Sequence, residues 1–255
     1  MKDPTSFAAE PSKDPRRGQS GRQVLVLVNR SIDPHVVVYH EPQSLVAEQY
    51  RSFRTNLTAM NPGGLPRALA FTSAIKGEGK TITVVNLGAA LAELPDTRIL
   101  VVDADLRAGR MASLFKVDRE PGLSDLMIEG LPLPRVLIQT LIPNLSVLPA
   151  GRPVNNPTEL LGSTRIHDLI SAIKAEYHYV LFDTPATLPY TDASVLGSKL
   201  DGVILVVRMD KTPKDQLERT MERLKSAGGR VIGTFLTGSR NLDDRAKDYR
   251  ISEDE

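Results

Sequence analysis

Residues 68–81 constrain this chain more than any other stretch. The apolar run Ala68-Leu-Ala-Phe-Thr72 passes through Ser73 into Ala74-Ile-Lys-Gly-Glu-Gly-Lys80-Thr81, and a segment of helical composition follows. Gly77 and Gly79 let a strand turn sharply, with backbone N–H groups curled around one point. Lys80 and Thr81 then open a helix whose N-terminus presents the positive end of its dipole. Strand, glycine loop, Lys-Thr and helix in this order match a P-loop, with Ala74 where that pattern usually has Gly. The blander reading is a glycine-rich turn that binds nothing, but the context of strand and helix favours phosphate. Lys76, Gly77, Glu78, Gly79, Lys80 and Thr81 are therefore the candidate nucleotide-binding residues. Lys80 would reach the β- and γ-phosphates, and the Thr81 hydroxyl would ligate Mg²⁺.

Two further apolar runs end in carboxylates. Ile99-Leu-Val-Val-Asp103-Ala-Asp105-Leu-Arg107 delivers two acids and a guanidinium at one point. Alternation along an extended chain puts Asp103 and Asp105 on the same side. Beside a phosphate site such a pair can hold Mg²⁺ through water or take a proton from a nucleophile. A helix cap, which Asp often makes, is the alternative. Tyr179-Val-Leu-Phe-Asp183-Thr-Pro185 repeats the pattern. In P-loop proteins such an Asp supports the Mg²⁺ shell from a neighbouring strand. Tyr177, Tyr179 and Tyr190 flank this motif and read as packing residues.

The rhythm of the chain gives the fold class. Strands are expected at 68–72, 99–103, 145–148, 179–183, 203–208 and 231–236, with helices at 80–94, 158–176, 192–199 and 213–227 between them. Continuously apolar strands alternating with helices predict an α/β P-loop fold, a mostly parallel sheet covered on both faces. Ligands of such sheets sit at the carboxyl ends of strands, where the polar motifs fall. Upstream, residues 24–28 and 36–39 look β-like. Over 43–59 the spacing of Val46, Tyr50, Phe53 and Leu57 predicts a helix with one apolar stripe, and Asn61-Pro62-Gly63-Gly64 ends it. The expected organisation is a disordered polar arm at 1–23, a P-loop domain at 24–238 and a flexible charged tail at 239–255.

Composition excludes several classes. Net charge is +1, far from the basic excess of a nucleic-acid binder, so no nucleic-acid partner is expected. There is no cysteine, hence no disulfide framework or thiolate metal site. The start has no apolar signal-peptide core, and no window approaches the ~20 apolar residues of a membrane helix. A cytoplasmic chain, peripheral to the membrane through a partner, is the expectation.

Taken together, the three motifs in this order resemble the bacterial tyrosine kinases, P-loop ATPases akin to the division-site and plasmid-partitioning ATPases. The resemblance runs from about 34 to 238. It includes Glu48-x-x-Arg51-x-x-Arg54, Pro121-Gly-Leu-Ser124, Leu148-Pro-Ala-Gly151 and Asn156-Pro-Thr-Glu-Leu-Leu161. It implies an ATP- and Mg²⁺-dependent protein-tyrosine (auto)kinase of capsule or exopolysaccharide assembly, partnered by an inner-membrane polysaccharide co-polymerase of the chain-length determinant type. Catalytic roles would fall to Lys80, Asp103, Asp105 and Asp183, and metal contacts to Thr81, Asp103 and Asp183. Arg107 would support the phosphates. Which of Asp103 and Asp105 is the base stays open. Glu48, Arg51 and Arg54 would pack one subunit against the next in a homo-oligomer, with a ring among the forms the resemblance implies.

The chain also departs from that family. Its tail holds one tyrosine, Tyr249, where the kinases end in a cluster. A switch that binds and hydrolyses ATP on the membrane partner, without phosphotyrosine output, is therefore the second reading. Lys76 stands where the kinases commonly have Pro; it either reaches a phosphate or points to solvent. Near Thr237, related ATPases often carry an Asn that reads adenine.

Overall fold

The computed structural model describes residues 32–238. The arm 1–23, the run 24–28 and the tail with Tyr249 lie outside the described residues. All six expected strands form: β1 Arg67–Thr72, β2 Ile99–Asp103, β4 Leu145–Leu148, β5 Tyr179–Asp183, β6 Gly202–Arg208 and β7 Val231–Thr237. A two-residue β3, Ile138–Gln139, joins them antiparallel to β4. The sheet order is β3-β4-β2-β5-β1-β6-β7, and every other pairing is parallel.

The sheet is apolar on both faces, which is why its strands read as unbroken hydrophobic runs. Ile99 and Val101 of β2, with Tyr179 and Leu181 of β5, enter one cluster; Leu100, Val102, Val180 and Phe182 enter the other. On the first face lie α1 Val37–His40, α2 Leu45–Ala59 and α3 Lys80–Ala92. On the second lie α5 Leu123–Glu129, α7 Pro157–Gly162, α8 Thr164–Glu176 and α9 Asp192–Gly197. Phe71 and Phe182 are fully buried on opposite faces, each contributing about 1.5–3 kcal/mol of apolar burial. Gly88 lets α3 press onto the sheet: a Cβ there would stand 2.8 Å from a Val101 methyl.

Four local expectations need correction. Residues 36–39 are not a strand. Val36 and Val38 are buried, and the Val38 N–H donates to the Asn86 side chain on α3 (3.1 Å), so tertiary packing turns this β-branched run into α1. The helix expected over 158–176 is two helices. Ser163 leaves the helical region (φ −66°, ψ 164°), and its hydroxyl donates to the Leu160 carbonyl, closing α7. In α2 the buried stripe is Ala47, Tyr50 and Leu57, with Phe53 partly buried and Val46 exposed. Tyr50 and Phe53 meet Phe235 of β7, ring centroids 5.3 and 5.0 Å apart. Between β2 and β4 the chain adds α4 Met111–Leu114, α5 and α6 Leu133–Val136, which were not expected. The remaining helix, α10 Lys214–Ser226, follows β6 as expected. No helix among the described residues is long and apolar enough to cross a membrane.

Candidate active site

The three motifs leave three adjacent strands. In the order β2-β5-β1, the carboxyl ends carry Asp103, Asp183 and the P-loop. Gly77 and Gly79 both take positive φ, +84° and +90°, which a side chain would resist. Gly79 is the N-cap of α3, so Lys80 and Thr81 occupy its first turn. Lys80 is nearly buried; its Nζ donates to Ser73 Oγ at 3.0 Å and meets no carboxylate in an ion pair among the described residues. The cation is thus held ready beside the glycine loop. Ser73 was not expected from sequence, since a lone Ser between strand and loop carries no pattern.

Glu78 does not face this space. Its carboxylate is buried, accepts the Ile75 N–H at 2.8 Å and binds the Thr212 hydroxyl, so only its backbone belongs to the loop surface. Lys211 Nζ donates to the Lys76 carbonyl and Thr237 Oγ1 to the Glu78 carbonyl, both at 2.8 Å.

The carboxylates are sorted by their surroundings. Asp103 and Asp183 are register partners on β2 and β5, both buried. Both oxygens of Asp103 accept backbone N–H groups, from Asp105 (3.2 Å) and Met111 (2.9 Å). Asp183 Oδ2 accepts the Thr81 hydroxyl at 2.6 Å, while its Oδ1 is buried without a partner. Asp105 is half-buried and lines the cavity; its Oδ1 accepts the Ala108 N–H at 3.0 Å. Sequence alternation placed Asp103 and Asp105 together, yet only Asp105 reaches the cavity.

That cavity, about 500 Å³, is lined by Lys76, Gly77, Gly79, Lys80, Thr81, Asp105 and Arg107, which the sequence singled out, by Pro185, which closes the third motif, and by Arg110 and Pro189, which it did not. Tyr190 also lines it and is 41% exposed, unlike Tyr177 and Tyr179, which are buried as packing residues. Arg107 is fixed by the buried Asp192, which accepts from its Nε (2.6 Å) and Nη2 (3.1 Å), and its guanidinium lies 4.1 Å from the Tyr190 ring centroid. Thr158 also bonds Asp192. Asp192 lies 85 residues from Arg107, so no local pattern could announce the pair.

Several features fit a Mg²⁺-bound nucleotide. The buried Oδ1 of Asp183 has an unused acceptor beside Thr81. The glycine loop offers N–H groups, and the cavity carries the cations Lys76, Lys80, Arg107 and Arg110 against one carboxylate, Asp105. Among the described residues no three His, Cys, Asp or Glu cluster to hold a metal alone. A cation at Thr81 and Asp183 would complete its shell from water and phosphate, as Mg²⁺ usually does.

Electrostatics gives this pair a pH signature. Burial, and then the neighbouring Asp183 charge, push Asp103 well above the usual carboxylate range. Burial pushes Asp183 up to about 7, against the opposing Thr81 hydrogen bond and Lys80 charge. A carboxyl raised in the folded state keeps a proton that the unfolded chain has released. Its stabilising contribution is therefore full below the ordinary carboxylate range, shrinks as pH rises from there, and is gone once pH has passed about 7. Metal-free protein should be more stable at pH 6 than at pH 8, by about 1 kcal/mol from this group, and Asp183→Asn should flatten the slope. Denaturant melts in EDTA check this; an unchanged slope in the variant removes Asp183 as the titrating group.

Arg51 and Arg54 converge elsewhere, on the first face. Both bind Glu93 of the same chain (2.8 and 2.7 Å), and Arg51 also bonds the exposed Glu48 at 3.4 Å. This triad holds α2 to the end of α3.

Comparison with known proteins agrees with this geometry. A family model described as an AAA domain matches residues 67–230. Tyrosine-protein kinase YwqD of Bacillus subtilis is 32% identical over 206 residues, 81% of this chain and 86% of that protein. Tyrosine-protein kinase ptk of Acinetobacter johnsonii is 31% identical over 223 residues, but these are 87% of this chain and only 30% of that longer protein. Among solved structures, the kinase domain of the Escherichia coli tyrosine kinase ETK has a TM-score of 0.77 at 30% identity, with 83% of each chain covered. The septum site-determining protein MinD of Pyrococcus horikoshii, solved in complex with Mg-ADP, has a TM-score of 0.57 at 26% identity, covering 68% of this chain and 70% of that one. With the P-loop, the Asp-x-Asp-x-Arg strand and the Asp183 strand converging on one cavity, and with relatives of this identity and coverage, the chain belongs to the bacterial tyrosine-protein kinases, a branch of the P-loop ATPases.

Proposed function

We propose that this chain is an ATP- and Mg²⁺-dependent protein-tyrosine kinase that phosphorylates its own kind and regulates capsule or exopolysaccharide polymerisation and export. The observation that carries the reading is Asp105, a carboxylate open to the same cavity as Lys80, Thr81 and the glycine loop. ATP is the phosphoryl donor and a tyrosine hydroxyl the acceptor. The tyrosine oxygen forms a bond to the γ-phosphorus, the bond from that phosphorus to the bridging oxygen breaks, and ADP leaves. Mg²⁺, held by Thr81 and by Asp183 through water, would supply positive charge to the phosphate oxygens. Lys80 and the loop N–H groups meet the charge that grows there. Asp105 takes the hydroxyl proton. Asp103, whose oxygens are engaged by backbone N–H groups, shapes the turn that presents Asp105. Arg107, anchored by Asp192, supports the phosphate region from the cavity wall.

In this reading the kinase works at the cytoplasmic side of the inner membrane, recruited by a polysaccharide co-polymerase. It assembles through the α2 face that carries Glu48, Arg51 and Arg54. Because both arginines also brace Glu93 within the chain, Arg51→Ala with Arg54→Ala should loosen that face and shift any oligomer towards monomer. Light scattering reads this directly, and an unaltered mass takes these residues out of the interface.

Mass spectrometry for phosphotyrosine after incubation with ATP and Mg²⁺, with Lys80→Met as control, tests the function. Lys80-dependent phosphate on tyrosine supports a kinase. Bound ATP without phosphotyrosine, also in the presence of the membrane partner's cytoplasmic segment, supports the second reading, an ATP-driven assembly switch.

A further inference from the structure

We infer that Lys211 and Thr237 are positioning residues of the phosphate loop, which set two of its peptide planes from outside the cavity. The inference rests on the nucleotide site proposed above and deepens it. Neither residue lines the cavity. Each nevertheless grips a loop carbonyl: Lys211 Nζ that of Lys76 and Thr237 Oγ1 that of Glu78, both at 2.8 Å. A peptide unit is planar and trans, so its C=O and the following N–H point in opposite directions. A donor that holds the Lys76 carbonyl outward aims the Gly77 N–H inward. A donor on the Glu78 carbonyl does the same for the Gly79 N–H.

Those two glycines line the cavity and carry positive φ. Positive φ is what asks for glycine at both positions. A Cβ on Gly77 would stand 2.8 Å from Lys211 Nζ, and one on Gly79 would touch the Thr237 methyl at 3.6 Å. The two donors share one platform. Lys211 follows β6, Thr237 ends β7, and the Met209 N–H donates to the Thr237 carbonyl at 3.0 Å. A third tie comes from the same turn, where Thr212 binds the buried Glu78 carboxylate.

An anion cradle works only if its carbonyls face away, since a carbonyl turned inward repels phosphate where an N–H attracts it. Without the outer donors, a glycine-rich loop would divide its time between these orientations, and the ordering cost would fall on nucleotide binding.

The test is titration of a fluorescent ADP analogue with Mg²⁺ into the full chain. Thr237→Val keeps the shape and removes the hydroxyl; Thr237→Ser keeps the hydroxyl and removes the methyl; Lys211→Met keeps the stem and removes the donor. Thr237→Val and Lys211→Met should each weaken nucleotide affinity about tenfold, or ~1.4 kcal/mol. Thr237→Ser should stay within about twofold of the parent. Wild-type affinity in the valine and methionine variants overturns the inference. So does a serine variant as weak as the valine one, which would assign the effect to methyl packing on Gly79. Lys80→Met run alongside separates this from the site reading: if that variant also binds nucleotide normally, the phosphate site itself is misplaced and the inference falls with it.

Discussion

Lys80→Met is expected to abolish ATP turnover, by at least about 100-fold, while the protein stays folded. In the nucleotide-free fold the ammonium makes one hydrogen bond, to Ser73 Oγ, and no ion pair among the described residues. Removing it therefore costs about 1 kcal/mol of stability, and methionine keeps an unbranched apolar stem in its place. The phosphoryl group being transferred loses far more, because no other cation of the cavity stands in the first turn of α3. Lys80 also lowers the Asp183 carboxyl by its charge. The variant should accordingly hold the Asp183 proton to higher pH and take up Mg²⁺ less readily. Phosphate release measured beside a circular dichroism melt decides the matter. Unchanged turnover in a well-folded variant would sink the site assignment.

The legible parts of this site share one property: each is local in sequence. A glycine loop closed by Lys80-Thr81 directly after an apolar strand can be read because a handful of consecutive residues carry the whole geometry. The same holds for Asp103 and Asp183 at strand ends, and for β1, β2, β4, β5 and β6, whose two-sided burial leaves an apolar signature. What could not be read depends on distant partners. Asp192 matters because the chain returns 85 residues later to meet Arg107. Tyr190 resembles a packing residue until the fold sets it at the cavity mouth over that guanidinium. Residues 36–39 carry β-branched side chains, yet Asn86 of α3 draws them into a helical turn. The elements between β2 and β4 are four to seven residues long in the helices and two in β3, too short for a period to establish itself.

The division of labour between Asp103 and Asp105 shows why sequence left the base undecided. Alternation in an extended chain puts both on one side, but extension ends at Asp103, the last residue of β2. Beyond it the chain turns, with the Asp105 N–H returning to Asp103 Oδ1 and the Ala108 N–H to Asp105 Oδ1. The turn buries the first carboxylate among amides and opens the second to the cavity.

Asp105→Asn should therefore lower phosphotransfer to tyrosine by roughly 100-fold or more, the usual span for loss of a general base, while nucleotide binding persists. An asparagine keeps the Ala108 contact through its carbonyl and the shape of the turn, but it cannot take the hydroxyl proton. Asp103→Ala should behave differently. It strands two N–H donors, those of Asp105 and Met111, at about 1–3 kcal/mol for each buried group left unpaired. Its signature is a lower melting point, with any loss of transfer following from a loosened turn. Single-turnover phosphotyrosine formation and nucleotide affinity, measured on both variants with their melts, separate the roles. If Asp105→Asn transfers phosphate at the parent rate, and Asp103→Ala is stable but inactive, the base is Asp103 and the cavity-facing carboxylate serves another end.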